Sequence, residues 1–228
     1  MQKRLIENSK IKYSYGLYNK VKGSKQWIRI SEGCIHNCPW CYEPQELKVF
    51  EIPKIVTNDV GIIDMNFLCK DQAFKMLQDL PINNGKKIEY EFVCGIDYRF
   101  LNKDIAIELK KHHFKRLRIA WDWFYRDQLK IKDSLKYLYD VGYKPNDIII
   151  FMICNHSSIS FDECCKKLDL CKVWNVKVAD CYFDNQINIF KKFVPIGWTT
   201  EQAHRFRKMV RTHNRMVLFG IDPKVIGK

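Results

Sequence analysis

Three cysteines, Cys34, Cys38 and Cys41, stand within eight residues, and their spacing is the most chemically pointed feature of the chain. Cysteine thiolate is a soft ligand for transition metals and iron–sulfur clusters. Three thiolates on one tight loop can take three irons of a [4Fe–4S] cubane and leave the fourth without a protein ligand. His36 lies between the first two cysteines, so the loop also offers three sulfurs and one imidazole. Cys₃His is an ordinary structural zinc set. Zinc fingers, however, usually draw their ligands as two separated pairs, and the sequence holds no second pair. The cluster is therefore the favoured reading, with His36 as a residue of the loop surface. The other seven of the ten cysteines are scattered.

The whole segment Gly33-Cys34-Ile35-His36-Asn37-Cys38-Pro39-Trp40-Cys41-Tyr42 follows a strand-like run, and an aromatic residue directly precedes its third cysteine. In these respects it resembles the signature of the radical S-adenosylmethionine (SAM) superfamily. The resemblance implies a [4Fe–4S] cluster on Cys34, Cys38 and Cys41, with SAM chelating the open iron through its amino and carboxylate groups. It further implies that one electron from the cluster breaks the sulfonium C–S bond, giving methionine and a 5′-deoxyadenosyl radical that removes a hydrogen atom from a substrate. A reductant such as flavodoxin or ferredoxin would supply that electron. The family usually carries a Gly-Gly-Glu-type segment after its second strand. Asp64-Met65-Asn66-Phe67-Leu68 stands in that place and is similar to the Asp-x-Asn-Phe variant of several subfamilies, cobalamin-dependent ones among them. Cobalamin is not implied for so short a chain. The plainer reading of Asn66 is a cap or turn ahead of a helix. The resemblance is specific over residues 29–42, weaker over 62–68, and architectural to about residue 180.

Further candidates stand where predicted strands end. Trp40, Asn66, Asp97, Arg99 and Asp122 are the expected cofactor-binding residues of the SAM pocket. Arg99 has a fork suited to a carboxylate, and a local Asp97–Arg99 pair is the alternative. Asp122 could accept from ribose hydroxyls, with the neighbouring Trp121 and Trp123 as adenosine walls or as core. Cys94, Cys154 and Cys181 follow the third, fifth and sixth strands and would converge on one mouth. Cys94 is the candidate catalytic hydrogen-atom donor; the alternative is that all three thiols pack as small hydrophobes. Cys164, Cys165 and Cys171 share a helix face and read as core.

These residues need elements to hold them. Strand candidates are Trp27–Ile30, Val60–Asp64, Ile88–Val93, Leu117–Trp121, the almost wholly apolar Asp147–Ile153, and a weaker Val173–Ala179. Helical periods lie between them: Phe74, Leu77 and Leu80; Ile105 and Leu109; Ile131, Leu135 and Leu138 with Gly142 as terminator. Ser160 with Glu163, and Thr199 with Gln202, read as capping boxes. Strand–helix alternation predicts an α/β fold of right-handed units, a partial (β/α)6 TIM-type barrel of parallel strands plus a C-terminal helix. A single domain over residues 1–228 is expected, with its core at about 26–182 and a helical extension at about 196–228. Pro44 and Pro53 fall between Cys41 and Asp64, so the first helix is expected to be short or replaced by extended chain.

No apolar run approaches the roughly 20 residues that span a bilayer, and no apolar stretch follows the charged start, so no membrane partner, no signal peptide and a cytoplasmic location are expected. The net charge of +13 suits a nucleic acid or another polyanion; the outer face of the basic stretch His204–Arg215 could track phosphates, and the plainer reading is a solvated face. Two functional classes follow: a radical SAM enzyme acting on a nucleotide or RNA, or a zinc-stabilised nucleic-acid-binding module without catalysis. An electron carrier using the cluster alone is a third.

Overall fold

The chain builds strands and helices in alternation around one apolar core. The computed structural model describes residues 16–39, 41, 43–154, 156, 158–182 and 197–220. Strand β1 (Tyr18–Lys22) pairs antiparallel with β2 (Lys25–Arg29). A small antiparallel pair, β3 (Ser31–Glu32) and β4 (Lys48–Val49), then encloses the cysteine segment. Next come β5 (Asp59–Ile62), helix α1 (Ala73–Asp79), β6 (Glu89–Phe92), β7 (Ile96–Asp97) and α2 (Lys103–Lys111). They are followed by β8 (Leu117–Ala120), α3 (Gln128–Asp140), β9 (Ile148–Cys154), α4 (Phe161–Trp174), β10 (Lys177–Tyr182) and α5 (Thr200–Phe219). Among the described residues no helix separates β2 from β5, in keeping with the prolines there.

Two four-stranded sheets result, ordered β1-β2-β5-β6 and β10-β9-β8-β7, parallel at every pairing except β1–β2. An isolated parallel bridge from Tyr90 on β6 to Phe114, just before β8, links them. Gly95, at φ 102°, turns the chain between β6 and β7, a conformation that favours glycine. The parallel strands therefore succeed one another in chain order.

One face of this succession is apolar and covered by helices. On β9 the even-numbered residues, from Ile148 to Cys154, are buried, while Ile149, Phe151 and Ile153 are only half-buried. The apolar run of β9 predicts burial on both faces, and the structure corrects this: strand alternation gives only one face to the helices. Ile105 and Leu109 of α2 and Ile131, Leu135 and Leu138 of α3 join that core, each worth about 1.5–3 kcal/mol when fully buried.

Three details depart from the sequence reading. Phe74 is 41% exposed, and α1 instead buries Ala73, Met76 and Leu77. Val173 and Trp174 end α4 rather than begin a strand, because Asn175 takes a left-handed conformation that stops the helix. Ser160 does accept from Glu163 N, but the Glu163 carboxylate accepts from the Tyr125 amide instead of closing a capping box. At α5 the Thr199–Gln202 box is complete. That helix buries Ala203, Phe206, Val210 and His213. Its Asn214 side chain accepts from Val178 N at 2.8 Å and donates to Val178 O at 2.7 Å, satisfying backbone groups of β10. No helix among the described residues is long and apolar enough to cross a membrane.

Candidate functional site

The cysteine loop is closed by its own backbone. Cys34 N donates to Pro44 O at 2.8 Å, and Gly33 N donates to the Glu43 carboxylate at 2.8 Å. Lys70, 4% exposed, donates to Gly33 O and to Asn66 O at 2.8 Å, clamping the loop to the turn after β5. Asp64 supports the same junction from below. It is 1% exposed and accepts from Ile30 N at 3.1 Å and from Ser31 Oγ at 2.6 Å. Burial pushes its pKa up to about 6 against those hydrogen bonds.

The sulfurs are already ringed by donors. His36 N and Asn66 Nδ2 each lie 3.4 Å from Cys34 Sγ, and Glu43 N lies 3.4 Å from Cys41 Sγ. The thiol of Cys69 neighbours Cys34; it lowers the Cys34 pKa to about 5, aided by His36 N and Asn66 against burial. Burial pushes Cys38 up to about 12 and raises Cys41 as well. His36 is not a free surface residue: its Nε2 sits 2.7 Å from Asp97 Oδ2, which corrects the sequence reading. Among the described residues no three His, Cys, Asp or Glu side chains close on a point that could hold one metal ion.

Above the loop, a cavity of about 220 Å³ opens where the parallel strands end. It is lined by Cys34, Cys38 and Cys41 from the loop, and by Asn66 after β5. Cys94 before β7, Asp97 and Arg99 at its end, and Asp122 after β8 complete the polar wall. The cluster cysteines and the described cofactor-binding and hydrogen-donor candidates thus face one space; Trp40 lies outside the described residues. Cys181 also lines the cavity, but Cys154 does not. The alternation of β9 turns Cys154 to the helix side, where it is fully buried. Trp121, also fully buried, belongs to the core, whereas Trp123 reaches the cavity.

Asp97 organises the polar wall. It accepts from Arg99 N at 3.1 Å, from Arg99 Nε at 2.7 Å and Nη2 at 3.0 Å, and from Asn66 Nδ2 at 3.1 Å, besides its contact with His36. Burial alone would raise its pKa, but Arg99 and His36 outweigh that and hold it below the ordinary carboxylate range. Asp122 is pushed the other way, up to about 6, by burial that Lys167 and the Ile153 backbone only partly offset. Asn66 Oδ1 is buried and has no hydrogen-bond partner. An unpaired buried amide oxygen is costly, and this one belongs to a residue of the cavity wall. Lys70, Cys69 and Glu43 were not singled out from the sequence, since a buried lysine or a capping glutamate has no distinctive spacing. Trp123, read there as an adenosine wall or as core, takes the first of these places.

No family model and no curated protein matches the chain. Two solved structures of TsrM, a radical SAM methyltransferase from Kitasatospora setae, are similar to it. The structure with cobalamin and a [4Fe–4S] cluster bound aligns at a TM-score of 0.57 and 12% identity, over 68% of this chain and 34% of that one. The structure with tryptophan substrate and the SAM analogue aza-SAM aligns at 0.58 and 11% identity, over 70% and 36% respectively. The chain therefore spans about a third of the length of these neighbours. At such identity the likeness is one of fold: an α/β architecture of parallel sheets and helices like that of a radical SAM methyltransferase.

Proposed function

We propose that the chain is a radical SAM enzyme, with a [4Fe–4S] cluster on Cys34, Cys38 and Cys41 and SAM in the cavity beside it, on a partial (β/α)6 barrel. The observation that carries this reading is the convergence of all three cysteines with Asn66, Asp97, Arg99 and Asp122 on one space. The donor set fits the cofactors. Amide hydrogens already point at two of the cysteine sulfurs, as cluster thiolates require. A zinc ion would need its donors at about 2.0–2.3 Å from one centre. Thiolates that bind different irons of a cubane need no common centre.

When bound, the cluster and SAM supply one-electron cleavage of the sulfonium C–S bond to methionine and a deoxyadenosyl radical that abstracts hydrogen. The protein's own groups bind and orient. Asn66 Oδ1, unpaired and buried, is the acceptor for the amino group of SAM. Arg99, aligned by Asp97, meets its carboxylate. Asp122 accepts from the ribose hydroxyls, and Trp123 walls the adenine. Cys94 keeps its proton because burial pushes its pKa up to about 11, and a hydrogen-atom donor must carry its hydrogen. The electron comes from a flavodoxin- or ferredoxin-type reductant.

Anaerobic reconstitution with iron and sulfide, then dithionite and SAM, tests the proposal. Brown protein with about four irons per chain and deoxyadenosine as a product is expected. Cys38→Ala should lose both colour and deoxyadenosine. Colourless protein holding one zinc sinks the reading, and a coloured protein that never cleaves SAM reduces it to an electron carrier.

A further inference from the structure

The sheet face turned away from the helices is charged, and the charge is unbalanced. Arg118, Ala120 and Asp122 alternate along β8 and its exit, so they share that face, and Arg116 reaches it through its ion pair with Glu91. Ala120 and Asp122 line the cavity; Arg118 stands one strand repeat, roughly 7 Å, below Ala120. Its guanidinium lies 5.7 Å from the centre of the Phe151 ring, itself part of the cavity wall.

Three cations meet on one carboxylate here. Glu91 of β6, 4% exposed, takes Lys25 Nζ and Arg116 Nη2 at 2.7 Å each, and Arg118 Nη2 as well. Lys25 and Arg118 are 16% and 18% exposed, so solvent screens them little. The surrounding ion pairs do not restore balance. Asp59 lies 3.7 Å from Lys25 and 3.5 Å from Lys115, while Glu89 takes Lys115 at 2.9 Å and Lys87 at 3.6 Å. Five cations thus face three carboxylates. Arg116 holds this place with a left-handed backbone, φ 51°, a conformation costly for a residue with a side chain. Gly61 makes room for the cluster on β5: a Cβ there would lie 2.8 Å from the Trp27 ring and 2.9 Å from Lys25. Lys25 Nζ in turn sits 4.7 Å over that ring.

We propose that Arg118, Arg116 and Lys25, gathered by Glu91, form an oxyanion-binding subsite that holds a carboxylate or phosphate of the substrate beside the cavity. As a substrate site it rests on the radical SAM reading, although anion binding itself needs no cluster. Glu91 preorganises the cations and occupies part of their donor capacity; the excess charge and the remaining guanidinium hydrogens are what an oxyanion would take. The apolar wall of Phe151, Ala120 and Ile153 above it receives the uncharged part of the same molecule.

Calorimetric titration of the full reconstituted chain with inorganic pyrophosphate, and separately with succinate, tests the subsite. Saturable binding of at least one is expected at low salt, weaker at high salt. A preference for pyrophosphate assigns a phosphate, and a preference for succinate assigns a carboxylate. Arg116→Gln, at a half-exposed position, should weaken binding roughly tenfold or more with the circular dichroism spectrum unchanged. Glu91→Gln should tighten it, because the internal competitor is gone. Absence of binding by either anion, or equal binding by wild type and Arg116→Gln, overturns the proposal. SAM cleavage measured on the same samples separates the two readings. Cleavage without anion binding sinks the subsite alone, and anion binding without cleavage sinks the enzyme reading alone.

Discussion

Asp97 shows how one residue can bind a site together. Its two oxygens gather Arg99, Asn66 and His36, which come from three separate chain segments that also border the cysteines. The sequence offered either a local Asp97–Arg99 pair or a functional role, and the structure contains the pair and extends it. Asp64 is the complementary case, a buried carboxylate that supports the loop start at a cost in stability. Its folded pKa of about 6 lies above the ordinary 3.8. Below about pH 4 both folded and unfolded states hold the proton, and the group adds no pH dependence. Between about pH 4 and about pH 6 the unfolded chain ionises first, so stability falls as pH rises, by about 3 kcal/mol in total. Asp64→Asn, close in shape, removes this titration. Urea unfolding of the cluster-free protein should therefore show wild type losing stability relative to Asp64→Asn between pH 4.5 and pH 7.5. A constant difference between the two proteins across that range would refute the burial argument.

At the scale of elements, the loop between β3 and β4 depends on Gly33. Its φ is 90°, and a Cβ there would fall 2.0 Å from Glu46 O, a backbone atom that cannot step aside. Gly33 also supplies the carbonyl that Lys70 grips and the amide that Glu43 caps. Gly33→Ala must therefore open the loop while leaving the distant parallel strands intact. The expected outcome is native-like circular dichroism with iron uptake reduced at least about tenfold in reconstitution, read by iron analysis. Normal iron content in this variant would mean that the loop geometry does not govern assembly. The spacing of the cysteines was legible in the sequence because it is local. The clamp was not, because Lys70 and Glu43 reach Gly33 through space. Helix faces were legible where period and burial agree, as for Ile131, Leu135 and Leu138. They were misread at Phe74, where a short helix of two turns presents Ala73 and Met76 to the core instead.

Over the whole molecule, strand order and the clustering of strand-end residues were both readable from alternation, since parallel strands deliver their C-terminal ends to one side. The charged inner face was not. Lys25, Glu91 and the pair Arg116 and Arg118 stand apart in sequence; the register Trp27–Gly61–Glu91 sets β2 and β6 on either side of β5, and the Tyr90–Phe114 bridge brings the chain entering β8 to β6. That face also bears on stability. The chain carries a net charge of +13, and like charges at this density repel one another in the compact state. Exposed ion pairs such as Lys75–Asp79 and Lys48–Glu46 contribute little each, so screening them forfeits little. Salt should therefore relieve more repulsion than it removes attraction. Raising sodium chloride from about 0.02 to about 0.3 M shortens the Debye length from roughly 20 Å to below 10 Å. If about 1 kcal/mol of repulsion is screened, the melting temperature of a chain this size rises by about 2–4 °C, measurable by scanning calorimetry. A melting temperature that falls with chloride would show that local ion pairs, not the net charge, dominate the electrostatics of the fold.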